Sequence, residues 1–369
     1  MSANGNPTGK LPEVDSEFVG KGPAREEVVR AYFLRAGYYA MRSVQFQYSQ
    51  FKVTDVDIWL YERPSSVSRH RIIVDVKNRK TPQAIERIFW TKGLQLALGV
   101  EQSIVATTDK RREVSEFGRE HGVIVLDGDF VNRLGASVRG VLKDRLTEEE
   151  FYKILSSISE TWKVRISRSR SLVLRGLDYD SINFWLEEAR YFTEQFLQQP
   201  SRLSDAPLRV TYVLVSLIAI AFDFLSRELA FVASQGKYSA IVDGLRYGKA
   251  GRASTIKVVE IAAGLAERYL DAGRVAGTRL RSGFETEIAD LRVNILGEYF
   301  SRSSSSQTLF GVARELEHAA YAKEFVKPWN LSVEGQALIG VLADYWDIDR
   351  SKLLNALPSS SAPAPTLAG

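Results

Sequence analysis

The sequence predicts a mixed α/β domain followed by a mainly α-helical one. Three observations carry this reading. Helix-period and strand-period segments alternate as αβββαβαβ up to about residue 145, the strand signal nearly vanishes after Leu146, and helical periodicity then recurs as far as Trp346. A chain of 369 residues is too long for one ordinary core, and 45% hydrophobic with 25% charged residues is the composition of a soluble globular protein.

The elements follow in order. In Ala24–Ala36 the residues Val28, Val29, Tyr32, Phe33 and Ala36 form one apolar stripe, and Gly37 supplies the cap that ends the helix. Strand-like runs follow at Val44–Lys52, Thr54–Tyr61 and Arg71–Lys77. A helix over about Gln83–Leu98 is stopped by Gly99, and a β-rich run (Ser103–Thr108), a charged helix (Asp109–His121) and an apolar run (Val123–Leu126) complete a short mixed sheet. Thr147-Glu148-Glu149-Glu150 reads as a helix start with acids in its first turn. Helical periods then cover Ser181–Gln198, Leu208–Ser234, Ser254–Ala272, Phe284–Phe300, Gln307–Phe325 and Ser332–Trp346. The expected organisation is a polar arm over 1–22, an α/β domain over 23–145, a helical domain over 146–357 and a tail over 358–369 too poor in apolar residues to pack.

Composition excludes several chemistries. Without cysteine there is no disulfide framework, thiolate nucleophile, zinc finger or iron–sulfur cluster. The three histidines, His70, His121 and His318, are too dispersed to predict a zinc site. The first residues lack the layout of a signal peptide, and the apolar run Val210–Phe222 is short for a bilayer span and suits a buried helix, so a cytoplasmic protein with no membrane partner is expected. A net charge of +4 is compatible with nucleic acid without demanding it. Between Trp162 and Leu177 stand Lys163, Arg165, Arg168, Arg170 and Arg175 with no acid, which reads either as a solvated connecting segment or as a phosphate-contacting stripe.

The chemistry-bearing residues are polar groups placed on apolar strands. In Thr54–Leu60, alternation sets Val56, Ile58 and Leu60 on one face and Asp55 and Asp57 on the other. The next strand, Ile72-Ile73-Val74-Asp75-Val76-Lys77, is nearly continuous in Ile and Val, as a central strand is, and Asp75 and Lys77 project from the same face. A carboxylate and an ammonium there need a partner or a metal. Two aspartates on adjacent strands supply the hard oxygen ligands of Mg²⁺, while a plain Asp75–Lys77 salt bridge is the simpler alternative. On the first helix, Glu26 falls about 90° from the centre of the apolar stripe and can reach toward the sheet, whereas Glu27 points away and is expected to be solvated. Asp127-Gly128-Asp129 reads as a turn after a strand rather than a metal loop.

In this order the residues resemble the PD-(D/E)xK nuclease superfamily, and more narrowly the catalytic domain of Mrr-like restriction endonucleases and the archaeal Holliday-junction resolvases. The matching residues are Glu26 with Val28, Val29, Gly37 and Tyr38, then Val56-Asp57, then Val74-Asp75-Val76-Lys77. Gln95 lies where the Mrr-like group often carries a glutamine, and the run from Ser103 to Leu134 is similar to that group's closing strand–helix–strand. The likeness covers about residues 20–136, and Val56 stands where the superfamily's name has proline.

The resemblance implies a restriction-endonuclease-like fold for the α/β domain and a metal-dependent endonuclease of a restriction or defence type. By that analogy Asp57 and Asp75 bind Mg²⁺ or Mn²⁺ with the Val76 carbonyl as a further ligand, Lys77 assists the attacking water, Glu26 completes the acidic cluster and Gln95 orients water or phosphate. Arg79 and Lys80, just past the strand, and Lys163, Arg165, Arg168 and Arg170 are candidate nucleic-acid contacts. DNA is the expected partner, RNA would be served by the same residues, and cutting both strands of a duplex calls for a homodimer or larger oligomer. The alternative is a nucleic-acid-binding or scaffold protein on the same fold without catalysis.

Overall fold

The structure is a computed structural model that describes residues 21–48, 51–77, 83–198 and 205–355. Its first part runs α1 (Lys21–Arg35), β1 (Tyr39–Tyr48), β2 (Phe51–Glu62), β3 (His70–Val76), α2 (Ala84–Leu98), β4 (Gln102–Ala106), α3 (Arg112–Glu120), β5 (Ile124–Leu126), α4 (Gly128–Ser137) and α5 (Arg139–Lys143). The second part is helical: α6 (Glu148–Ser156), α7 (Glu160–Ser171), α8 (Tyr179–Gln198), α9 (Ala206–Ser226) and α10 (Ser234–Tyr247). It continues with α11 (Gly251–Tyr269), α12 (Gly273–Asp290), α13 (Val293–Phe300), α14 (Ser303–Tyr321), α15 (Val333–Tyr345) and α16 (Arg350–Asn355).

The five strands lie side by side in chain order. β1, β2 and β3 form an antiparallel meander, and β3, β4 and β5 are parallel, with α2 and α3 as the crossovers. β3 therefore sits between an antiparallel and a parallel neighbour, buried on both sides, which is why Ile72, Ile73, Val74 and Val76 are all apolar. The glycines expected to stop helices do so with left-handed backbones, Gly37 at φ 99° and Gly99 at φ 60°.

Two layers cover the sheet. α1 and α4 pack on one face, burying Val28, Val29 and Phe33 with Ile58, Leu60, Ile72 and Val74. On the other face Tyr39, Met41, Trp59, Tyr61 and Ile73 join one continuous apolar cluster with α8, α9 and α14. The α/β and helical parts thus share this cluster, while the α1 face of the sheet keeps one of its own. α9 is the centre of that core: it has the length and apolarity of a bilayer-crossing helix, yet here it is buried along its length. Its one buried acid, Asp223, accepts from the Tyr61 hydroxyl at 2.5 Å and pairs with Arg69 at 2.6 Å and Arg63 at 2.9 Å, which satisfies the charge and pins the β2–β3 turn to the helix.

Several expected boundaries move. β1 begins at Tyr39, five residues before the expected strand, because Tyr39 and Met41 have the helical layer to pack on. The expected helices Leu208–Ser234 and Phe284–Phe300 are each broken, at Arg227–Ala233 and at Leu291–Arg292. The basic segment from Trp162 is no connector: α7 spans Glu160–Ser171 and buries Trp162 and Ile166 in the main core. Asp127 caps α4, its side chain accepting from the Phe130 N–H at 2.8 Å.

Candidate active site

Asp57 and Asp75 come from neighbouring strands and converge on one cation. The Lys77 Nζ lies 3.4 Å from Asp57 Oδ2 and 3.3 Å from Asp75 Oδ1. The geometry follows from the meander. Ile58 pairs with Val74, and beyond that pair β2 and β3 stop pairing, so Asp57 turns its carboxylate to the free Val76 N–H, which it accepts at 2.7 Å. Lys77 follows directly on the end of β3, its N–H still donating to the Ala106 carbonyl at 2.9 Å, so it shares a face with Asp75 two residues before it. Opposite Asp57 on β1, between the pairs Arg42–Ile58 and Val44–Val56, stands Ser43 with φ 54°, a left-handed conformation uncommon for serine. Alternation breaks at this point: Val56 joins the core of Trp59, while Ile58 and Leu60 join that of α1.

Electrostatics reflect a crowded, half-sheltered cluster of acids. Burial raises the Asp57 carboxyl above the ordinary aspartate range; Lys77 opposes that shift and Asp75 adds to it. Glu26, at the start of α1, is pushed up to about 7, first by burial and then by the charge of Asp57, with Arg42 pulling the other way. Its Oε2 is 3.6 Å from Arg42 Nε. Arg42 also binds Glu149 at the start of α6, so the site's outer acid is tied to the helical part through one guanidinium.

Three of the residues singled out in the sequence, Asp57, Asp75 and Lys77, are therefore in contact, and Glu26 lies near enough for the charges of Asp57 and Lys77 to act on it. Others are not. Gln95 is buried at the opposite end of β4, where its amide donates to the Glu101 carbonyl at 3.0 Å and accepts from Ser103 Oγ at 2.8 Å; Asp75 lies beside Val105 toward the far end of that strand. It fastens α2 to the sheet instead of facing the cluster. Glu27, expected in solvent, is 2% exposed. It accepts from the Glu148 N–H at the head of α6 at 3.0 Å and pairs with Arg30 and Arg42, because the outer side of α1 faces the helical part and not water. Arg170 is likewise internal, bonded to Glu148, to Tyr152 Oη at 3.0 Å and to the Arg42 carbonyl at 2.6 Å, so it cannot reach a phosphate. Arg165 pairs with Glu188 at 2.9 Å, whereas Lys163 and Arg168 are exposed. Arg79 and Lys80 lie outside the described residues.

Two participants were missed. Arg87, in the first turn of α2, donates from Nε to Asp75 Oδ2 at 2.9 Å and from its terminal nitrogen to Oδ1. The signal was present: Arg87 lies about 60° from the centre of the buried stripe Ala84, Ile88, Thr91, Gln95 and Leu98, on its border as Glu26 is on α1. Thr91, next along that stripe, lines a narrow cleft with Asp57, Asp75 and Trp90. Its hydroxyl is buried and has no hydrogen-bond partner among the described residues.

The donor set suits a hard divalent cation. Among the described residues no group of three or more histidine or acidic side chains forms a ready cage. Mg²⁺ does not require one: one or two carboxylates suffice when water and phosphate fill the other positions. Asp57 and Asp75 already share a positive charge, and the buried Thr91 hydroxyl, unpaired among the described residues, lines the same cleft. Compared with protein-family models, curated proteins and solved structures, the chain matches none.

Proposed function

We propose that the chain is a metal-dependent endonuclease on a restriction-endonuclease-like fold, of the PD-(D/E)xK type, that hydrolyses phosphodiester bonds in DNA. The observation that carries this reading is the convergence of Asp57 and Asp75, from adjacent strands, on the ammonium of Lys77. Asp57, Asp75 and the Val76 carbonyl would hold Mg²⁺ or Mn²⁺, which when bound lowers the pKa of a water and offsets charge on the scissile phosphate. Lys77 orients the attacking water and balances charge building on the phosphate oxygens. Glu26, protonated near neutral pH, accepts or releases a proton at the edge of the cluster. The helical part would supply target recognition or a dimer contact, and a defence role and cytoplasmic location belong to this reading. RNA is the alternative polymer.

The two-point hold of Arg87 on Asp75 favours one competing reading, a nucleic-acid-binding scaffold whose carboxylate is permanently neutralised. Supercoiled plasmid incubated with Mg²⁺ separates the two. Cleavage by the wild-type chain that disappears in Asp75→Ala and Lys77→Ala supports hydrolysis; equal cleavage by all three, or none by any with Mg²⁺ or Mn²⁺, overturns it.

A further inference from the structure

A groove of about 870 Å³ opens beside the acidic notch. One wall is β1, from which Ser43, Gln45 and Gln47 line it at alternate positions; the other is α6 and α7, which contribute Lys163 and Arg168. Its inner end reaches the notch through Arg42, the partner of Glu26, and through Ser43, which stands opposite Asp57. Beyond its outer end the β1–β2 hairpin carries Tyr48 and Phe51, paired across the two strands and 72% and 74% exposed. Along β2 the six steps from Phe51 to Asp57 correspond to about 20 Å.

The walls have the character of a track for a polyanion. Of the acids that line the groove, Glu148 is buried and held by Arg30 and Arg170, while the half-exposed Glu149 shares Arg42 with Glu26 and Glu27, so Glu149 and Glu160 stand against Lys153, Lys163 and Arg168. Gln45 and Gln47 present amides, with Gln47 Nε2 donating to Gln45 Oε1 at 3.4 Å, groups that bond phosphate, sugar or base edges without adding charge. Two large rings standing in water on paired positions of β1 and β2 gain nothing from burial there. They offer π-faces, and only bases that are not already stacked on neighbours can use them.

We propose that this groove holds an unpaired DNA strand leading into the notch, with Tyr48 and Phe51 stacking on its bases and Lys163 and Arg168 contacting its phosphates. The proposal takes its direction, toward the notch, from the hydrolase reading, but strand binding is measured without catalysis. The test is fluorescence anisotropy of the full chain in EDTA with a labelled oligothymidylate, the same-length duplex and an oligouridylate, at several salt concentrations. Oligothymidylate binds roughly tenfold or more tighter than duplex, and the Tyr48→Ala/Phe51→Ala variant loses roughly tenfold or more of that affinity. Tyr48→Phe retains it, which separates stacking from loss of fold. Lys163→Glu/Arg168→Glu flattens the slope of log affinity against log salt by about 1.4, two phosphate contacts' worth on a single strand. Equal or tighter binding of duplex, tighter binding of oligouridylate, or unchanged affinity in the hairpin variant overturns the proposal. Plasmid cleavage with no strand preference in binding removes the groove and leaves the hydrolase; strand binding with no cleavage does the reverse.

Discussion

Arg87 grips both carboxylate oxygens of Asp75, with Nε 2.9 Å from Oδ2 and a terminal nitrogen on Oδ1, the same oxygen that lies 3.3 Å from Lys77 Nζ. The carboxylate proposed to hold a metal thus already contacts two cations. The guanidinium and a divalent ion would compete for the same lone pairs.

Arg87→Ala is therefore expected to tighten Mn²⁺ binding to the metal-free chain by roughly tenfold, the scale of one charge-assisted hydrogen bond. Isothermal titration calorimetry with Asp75→Ala as the blank measures it. An unchanged dissociation constant in Arg87→Ala shows that the grip and the metal do not compete.

Lys77→Met keeps the stem and removes the charge. Cleavage of plasmid should fall by roughly 10²–10³-fold, as when one preorganised charge is lost from a transition state. Lys77 is partly exposed, so the melting temperature should move little. Residual cleavage near the wild-type rate would assign Lys77 to the salt bridge alone.

Glu26 sets a pH dependence with a definite sign. Its folded carboxyl titrates near 7 against an ordinary 4.5, so between these values the folded chain holds a proton that the unfolded chain has released. Stability contributed by this group consequently falls as pH rises from about 4.5 to about 7, and the raised carboxyl of Asp57 acts in the same direction. Urea midpoints at about pH 5, 6 and 7 read the slope. Glu26→Gln should flatten it; a slope identical to wild type would show that Glu26 does not titrate there.

Glu148 is the hub of a buried ion network. It pairs with Arg30 at 2.9 Å and with Arg170, and accepts from Tyr321 Oη at 3.1 Å, while burial is overcome by those arginines and its carboxyl is held below the ordinary range. Glu148→Gln leaves the buried Arg170 without its carboxylate partner while Arg30 keeps Glu27, and a loss of about 3 kcal/mol is expected from urea unfolding. A loss within about 0.5 kcal/mol, typical of a surface site, would show that the network carries no such weight.

Much of the α/β part was legible in the sequence because its signals are local. Alternation and unbroken Ile/Val runs disclose strands, glycines stop helices, and two residues on one strand share a face whatever lies around them, which is how Asp75 and Lys77 could be placed together. Asp57 required one further step, the antiparallel pairing of β2 with β3. Glu27, Gln95 and Arg170 went astray for a common reason: periodicity gives the face of an element but not what covers that face. Glu27 meets the head of α6, Arg170 meets Glu148, and Gln95 bonds Ser103 near the start of β4. Each depends on contacts between residues far apart in the chain, and the same holds for Arg87 on Asp75 and for the shared core of sheet and helices. The sequence by itself determined the order of strands and helices and the two carboxylates with their lysine; the tertiary structure decided which polar groups stay open to solvent, because burial and charge pairing are set by the opposing surface.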